Sequence, residues 1–415
     1  MKIKSIANKK TNFAAQDVGG DSYLQNFSLV KARKVLDFHK SFKQYERTPL
    51  INLQGFAKRI GVKGVFVKDE SKRFGLNAFK VLGGSYAIGS LMAKRLNMAL
   101  ESLSFEKLQS DEIQKKLGDL LFVSATDGNH GRGIAWTAMQ LKQKAVIFMP
   151  KGSAQSRVDN ILKTGAQCIV TDVDYDNTVV LANRFAKEKG GITVQDTAWQ
   201  GYEEIPLLIM QGYMTLAYEI LEQLRDIFDC DVKDIFEKNK FHLFVQAGVG
   251  SFPASILAFY KSVLGAHCPN TAIVEPHQAA CIYESIKAAD AKAHKSSGDL
   301  NTIMAGLACG MPSLIAWRII RDFADFAISC SDSISEDGMR ILGKPIDKDE
   351  SIISGESGAV GAGLINYLMT NPNGAPFAEQ LKVDKNSYIL LISTEGDTFP
   401  QKYMEILNKE EYNGN

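Results

Sequence analysis

Cysteine is scarce and unpatterned in this chain. The six residues Cys168, Cys230, Cys268, Cys281, Cys309 and Cys330 include no Cys-x-x-Cys pair, and the six histidines fall at no metal-ligand spacing with them. That excludes a disulfide framework and a structural zinc site, and it predicts buried thiols and no bound metal. An excess of charge of one sign is also missing: 48 Lys and Arg against 47 Asp and Glu leave a net +1. Such balance argues against a nucleic-acid partner and against a charged membrane surface. No uninterrupted apolar stretch is long enough to span a bilayer, so no membrane partner is expected. The start, Met1 to Phe13, is basic and polar with no apolar core of a secretory signal, which favours the cytoplasm. Repeats and long low-complexity linkers are absent too. What remains is a 415-residue chain, 45% hydrophobic, able to bury a large core and to form two domains.

Apolar strand-like runs alternate with helical patterns: Val65 to Val67, Leu120 to Val123, Ala145 to Phe148, Cys168 to Val170, Ile192 to Val194, Phe241 to Val245, Ala272 to Val274 and Tyr388 to Ile392. This alternation predicts an α/β fold of parallel sheets covered by helices. Glu101 to Gly118 reads as charged, helical and solvated, Ala289 to Asp299 as a surface excursion, and Asn413 to Asn415 as frayed.

The most informative stretch runs from Lys68 to Gly84, where a polar, glycine-containing loop becomes a helix with Lys80 at the junction. An amine held there can form a Schiff base, the means by which pyridoxal 5'-phosphate (PLP) is tethered. Phe79 could pack beside a ring, and the small residues Gly83, Gly84 and Ser85 would let one approach. A lone lysine at a helix start is ordinarily just exposed; its company decides. The first companion is Thr126-Asp127-Gly128-Asn129-His130-Gly131-Arg132-Gly133, a glycine-rich turn between a strand and a helix. Its backbone N–H groups and positive helix end suit a substrate carboxylate, with Thr126, Asp127, Gly128 and His130 expected around the substrate. A carboxylate beside an anion-binding turn would repel that substrate. Asp127 is therefore read as a base, as a partner for a substrate ammonium, or as a cap of the following helix. His130 is expected to pack behind its loop.

The second companion, Gln246-Ala247-Gly248-Val249-Gly250-Ser251, follows a strand and precedes a helix. Glycines there let the backbone of Gly248, Val249 and Gly250 close around a phosphate at a helix N-terminus, with the Ser251 hydroxyl as donor. A dinucleotide fingerprint would need a third glycine, which is not present. The third companion is Leu390 to Asp397, a buried-looking strand whose end presents Ser393 and Thr394.

Together with Met149 to Gln155, Val194 to Pro206, Thr302 to Gly310 and Ser354 to Gly361, these blocks resemble the 2,3-diaminopropionate ammonia-lyases, fold-type II PLP enzymes, over nearly the whole chain. The resemblance implies two domains, each with a mainly parallel sheet covered by helices. The smaller, residues 91–198, is inserted into a larger one of residues 1–90 and 199–415, with PLP in the cleft between them. It also implies a homodimer, PLP as cofactor, an amino-acid substrate, and elimination of both amino groups of either enantiomer of 2,3-diaminopropionate to give pyruvate. By the same resemblance Asn129 meets the phenolic oxygen of PLP and Ser393 its pyridine nitrogen, a neutral partner that leaves the ring a moderate electron sink. Asp196 belongs in the active site, as binder of the departing β-ammonium or as helper to Asp127. Glu356 either orients cofactor or substrate or caps a helix starting near Ala359. Cys281 and Cys309 flank segments brought toward the site, where a reversible pair is one outcome. A serine or threonine dehydratase and a silent PLP-fold protein are the rival readings; Asp127 and Asp196 argue against the first, and Lys80, Asp127 and Asn129 together against the second.

Accepting both enantiomers requires a base on each face of the cofactor plane. Lys80 serves one face and Asp127 the other. Asp127→Asn is expected to lose mainly activity on D-2,3-diaminopropionate in a pyruvate-coupled assay; equal loss on both enantiomers would refute the division of labour.

Overall fold

The computed structural model describes residues 2–10, 21–126 and 128–409. Asp127 and the segment Asn413 to Asn415 lie outside the described residues. Among the described residues eleven strands form two sheets. The strands are β1 (Ile3–Ala7), β2 (Leu50–Asn52), β3 (Gly64–Asp69), β4 (Leu121–Ala125), β5 (Lys144–Met149), β6 (Gln167–Val170), β7 (Ile192–Thr193), β8 (Lys240–Gln246), β9 (Asn270–Pro276), β10 (Phe326–Cys330) and β11 (Ser387–Ser393). The larger sheet has the order β1-β10-β9-β8-β11-β3-β2, and the smaller one β6-β5-β4-β7. Every pairing is parallel except at the two edges of the large sheet, where β1 and β2 run antiparallel to their neighbours. The central strands are buried on both faces, which is why Phe241 to Val245 and Leu390 to Ile392 are continuous apolar runs rather than alternating ones.

All eight strand-like runs of the sequence lie in or at the ends of strands, and β1, β2 and β10 are additional. The four strands of the small sheet come from residues 121–193, while the helix Val81–Arg95 continues unbroken through residue 90. Residues 101–118 are less solvated than expected. Leu103, Phe105, Leu108, Ile113 and Leu117 are buried in the main core. No helix of the described residues is long and apolar enough to cross a membrane.

The topology places function at one end of both sheets. The loop to Lys80 follows β3, the Thr126 turn follows β4, Asp196 follows β7, the glycine loop follows β8 and Glu395 follows β11. These are carboxyl ends of parallel strands, where open α/β sheets bind ligands.

Two long helices carry Lys80 against the core. Gly212, in the helix Glu204–Phe228, faces the first turn after Lys80, and a Cβ there would stand 2.3 Å from Leu82 O and 2.7 Å from Gly83 Cα. Gly83 in turn faces Ile209 and Tyr213, Gly84 faces Ile134, and Ser85 Oγ sits 3.1 Å from His39 Nε2. The small residues after Lys80 therefore make room for neighbouring helices, not for a cofactor ring. This corrects the sequence reading, because a helix face pointing away from the loop has no access to the cleft. Alanine would gain about 1 kcal/mol of helix propensity over glycine, yet the backbone atoms it would meet cannot swing aside. Gly212→Ala is expected to destabilise by ~1–3 kcal/mol in chemical denaturation; a more stable variant would refute the packing argument.

Candidate active site

Lys80 is the last residue before the helix Val81–Arg95, and its loop is pinned at several points. Phe79 N donates to Thr394 O at 3.1 Å, Ala78 pairs with Glu395, and Arg132 Nη1 donates to Leu76 O at 2.9 Å. Phe74 holds a left-handed φ of 49°, costly for a bulky side chain. Stacking on Phe42 and Trp136, with centroids 5.1 and 5.7 Å away, offsets that strain.

Lys80 Nζ lies 2.6 Å from Asp196 Oδ2, an ion pair that joins a loop of the large sheet to one of the small sheet. Burial alone would raise the Asp196 carboxyl, but the Lys80 charge, with a further contribution from His130, brings it down to about 2. With Lys80 charged beside it, Asp196 is held as a carboxylate. Its neighbour Gln195 orders the strand end: Oε1 accepts from Ala125 N at 3.0 Å, and Nε2 donates to Tyr175 OH at 2.8 Å.

The turn after β4 is built by its first residue. Thr126 Oγ1 accepts from Gly128 N at 2.8 Å and from Gly131 N at 3.0 Å, so Thr126 shapes the loop from beneath. Asn129 opens the helix Asn129–Gln140, and its Nδ2 donates to Glu395 Oε2. His130 is buried with Nε2 3.0 Å from Val194 O, behind its loop, while its ring also borders the cavity.

The glycine loop closes the other side. Gly250 has φ +90°, a conformation that favours glycine, and leads into the helix Ser251–Leu264. A Cβ on Gly248 would lie 3.0 Å from Cys309 Sγ, so the bare backbone keeps this wall open. Ser251 Oγ donates to Asp196 O at 2.5 Å. Ser313 ties the same two segments, donating from its N to Val249 O at 2.8 Å and accepting at Oγ from Ala198 N at 2.9 Å. Cys281 and Cys309 are not joined in a disulfide; burial, followed by the Glu275 charge, pushes the Cys281 thiol up.

One cavity gathers Lys80, Asn129, His130, Asp196, Gly248, Val249, Gly250 and Ser251, with Phe79, Tyr175, Gln246, Thr394 and Glu395 among its other lining residues. Thr126, Gly128 and Ser393 are not on its wall. Ser393 Oγ instead donates to Ser354 Oγ at 2.8 Å, and because successive side chains of a strand face opposite ways it is Thr394 that meets the cavity. Thr394 Oγ1 accepts from Gln246 Nε2 at 2.9 Å, which leaves its proton to donate. Sequence reasoning missed Tyr175, Gln246, Ser313 and Glu395. Only Glu395 left a signal, an acidic residue directly after two strand-end hydroxyls.

A second cleft shares Tyr175, Ala305 and Ala308 with the first and adds Lys151, Arg157, Lys402 and Glu356. The helix Glu356–Thr370 starts at Glu356 itself, not near Ala359. Burial, then the nearby Glu395 charge, pushes the Glu356 carboxyl up to about 7. Below an unfolded value of 4.5 this group is protonated in both states. Between 4.5 and about 7 the folded protein keeps a proton that the unfolded chain releases, so its contribution to stability falls as pH rises and levels off above 7. Glu275, raised mainly by burial to about 8, adds a slope of the same sign. Glu356→Gln is expected to shrink the loss of apoprotein melting temperature between pH 5 and pH 8; an unchanged difference would count against the raised pKa of Glu356.

Comparison with known proteins places this geometry. A family model described as "Pyridoxal-phosphate dependent enzyme" matches residues 42–372. The chain is 50% identical over 378 residues to the diaminopropionate ammonia-lyase of Salmonella typhimurium, covering 90% of this chain and 91% of that protein. It superposes on the crystal structure of Escherichia coli diaminopropionate ammonia lyase in complex with D-serine with a TM-score of 0.88 and 45% identity, covering 98% of this chain and 97% of that one. The same enzyme with an aminoacrylate-PLP azomethine intermediate gives a TM-score of 0.85 at 44% identity over the same shares. Threonine deaminase isoform 2 of Solanum lycopersicum, 20% identical with a TM-score of 0.68 over 99% of this chain and 98% of that one, shares the fold.

Proposed function

The chain belongs to the pyridoxal-phosphate-dependent enzymes and, within them, to the diaminopropionate ammonia-lyases, and from that premise we propose that it cleaves both D- and L-2,3-diaminopropionate to pyruvate and two molecules of ammonia. The observation that carries the reading is the Lys80–Asp196 pair at 2.6 Å on the wall of the glycine-lined cavity. Serine or threonine would present a neutral hydroxyl at Cβ; 2,3-diaminopropionate presents an ammonium, and a buried carboxylate held ionised is the group that binds that cation before it departs as neutral ammonia.

The lining fits PLP. The missing Cβ of Gly248, the positive φ of Gly250 and the helix beginning at Ser251 form a cradle of backbone N–H groups for the phosphate. Lys80 would hold the cofactor covalently and Asn129 would meet its phenolic oxygen. The end of β11 supplies neutral hydroxyls for the ring nitrogen, Thr394 being the one on the cavity wall. When bound, PLP draws electrons from the substrate's α-carbon, so that the Cα–H bond can break and ammonia leave Cβ with its electron pair.

The side chains handle the protons. Lys80, freed when the substrate amine takes its place, accepts the α-proton on its own face, and Asp127 accepts it on the opposite face for the other enantiomer. Asp196 keeps Lys80 oriented and binds the β-ammonium until it departs. The released enamine hydrolyses to pyruvate and the second ammonia. We place the cavity between a smaller unit, residues 91–198, and the rest of the chain. The reading extends to amino-acid catabolism by a cytoplasmic homodimer, a part that rests on the family resemblance alone.

The test is a spectrum of the purified protein with PLP, followed by separate addition of each enantiomer with coupled detection of pyruvate. A cofactor absorption band and pyruvate from both are expected. Lys80→Ala should lose the band and turnover of both enantiomers. A band without pyruvate from either would move the substrate to another β-substituted amino acid.

A further inference from the structure

Asn129 is gripped by a carboxylate that none of the proton transfers above uses. Glu395 is 2% exposed and lies two residues beyond β11 on the cavity wall. Its Oε2 accepts from Asn129 Nδ2, and its Oε1 accepts at 3.1 Å from Ser357 N in the first turn of the helix Glu356–Thr370. The backbone beneath it is equally constrained. Glu395 O accepts from Gly355 N at 2.9 Å, and Glu395 pairs with Ala78, two residues before Lys80. A Cβ on Gly355 would stand 2.4 Å from Gly396 O and 3.1 Å from Glu395 Cγ, so only a glycine lets this backbone pack so closely against the Glu395 side chain.

Two donors converge on this one carboxylate, and that settles the orientation of the amide. A carboxylate accepts and does not donate, so the group of Asn129 that meets it is the NH2 end. An NH2 carries two hydrogens. One is committed to Glu395 and the other remains for an acceptor in the cavity. A hydrogen bond to a charged acceptor is about twice as strong as a neutral one, so the amide is clamped rather than merely contacted.

We propose that Glu395 is a positioning residue: it holds the Asn129 amide so that its second N–H points at an oxygen acceptor of the pyridoxal ring. Through its Ser357 and Ala78 contacts it references that N–H to the Glu356–Thr370 helix and to the Lys80 loop. The inference rests on PLP occupying this cavity.

The experiment is a double-mutant cycle with Glu395→Gln and Asn129→Ala. The cofactor dissociation constant and band position are read in the holoprotein, and the unfolding midpoint in the apoprotein. The amide introduced by E395Q would offer one oxygen to two donors and turn an NH2 toward one of them. E395Q is expected to weaken PLP binding about tenfold, the scale of one hydrogen bond to a charged group, and to shift the absorption band. In the N129A background the same change should have no further effect. Additive losses, or an unaltered affinity and band in E395Q, would overturn the proposal and leave Glu395 as a helix cap. If E395Q does not fold, Glu395→Asp, which retracts the carboxylate by one methylene, takes its place in the cycle with the same criterion. Absence of a band in the unsubstituted protein would strike the cofactor assignment instead. The apoprotein midpoints would then decide alone, coupled values supporting the clamp and additive values refuting it.

Discussion

The structure turns on one ion pair. Lys80 and Asp196 arrive from different sheets, one after β3 and the other after β7, and meet at 2.6 Å with Asp196 almost fully buried. A buried carboxylate without a partner would take up a proton or drag water inward. Here the amine of Lys80 is the cation that keeps the carboxylate charged. The pair therefore sets two conditions at once: the sheets must close far enough to bring the loops together, and the loops must be stiff enough to hold them. Ser251 and Ser313 meet the second condition by tying the glycine loop to the Asp196 segment from two directions.

The Lys80 loop is stiffened from below by a second set of charges. Lys68 Nζ contacts Glu219 Oε2 at 2.7 Å and Thr48 O at 2.6 Å, while Arg73 contacts Glu70 and Glu219 at 2.7 Å each. Two cations and two carboxylates sum to zero, and all four side chains are inaccessible to solvent. Such a cluster gains little over an apolar core of equal volume, but removal of one member leaves a buried charge and costs several kcal/mol, about 3–5. Its value here is positional. It joins β3, the turn that follows β3 and the helix Glu204–Phe228 that packs against the first turn after Lys80, so the loop starts and ends on the same rigid support.

Legibility in the sequence followed from how local each requirement is. The central strands were readable because parallel strands covered on both faces must be apolar throughout. β1, β2 and β10 were not, because Lys4 and Ser5, Asn52 and Ser329 interrupt their apolar residues, whereas the short edge strands β6 and β7 carry the β-branched runs Ile169-Val170 and Ile192-Thr193. Lys80, Asn129 and the Gly248 to Ser251 loop were readable because a reactive amine at a helix start, and glycines at a strand-to-helix turn, are written in consecutive residues. Tyr175, Gln246 and Ser313 were not, because each acts through a contact with a segment distant in sequence, as Gln246 does with Thr394, 148 positions away. Gly83 and Gly84 misled for the opposite reason: a small residue in a helix permits close approach without saying what approaches.

The charge carried by the cavity wall bears on substrate choice. Among its lining residues Lys80 is cationic, while Asp196 and Glu395 are carboxylates. The phosphate cradle contributes backbone dipoles rather than a fixed cation. A wall of this composition is better matched to a substrate with two ammonium groups and one carboxylate than to serine, whose charges cancel. Glu395 is tied to Asn129 and Ser357, whereas Asp196 is tied to Lys80. The two carboxylates thus differ in what holds them: one is fixed between a side-chain amide and a backbone N–H, while the other is paired with the lysine of the cavity wall.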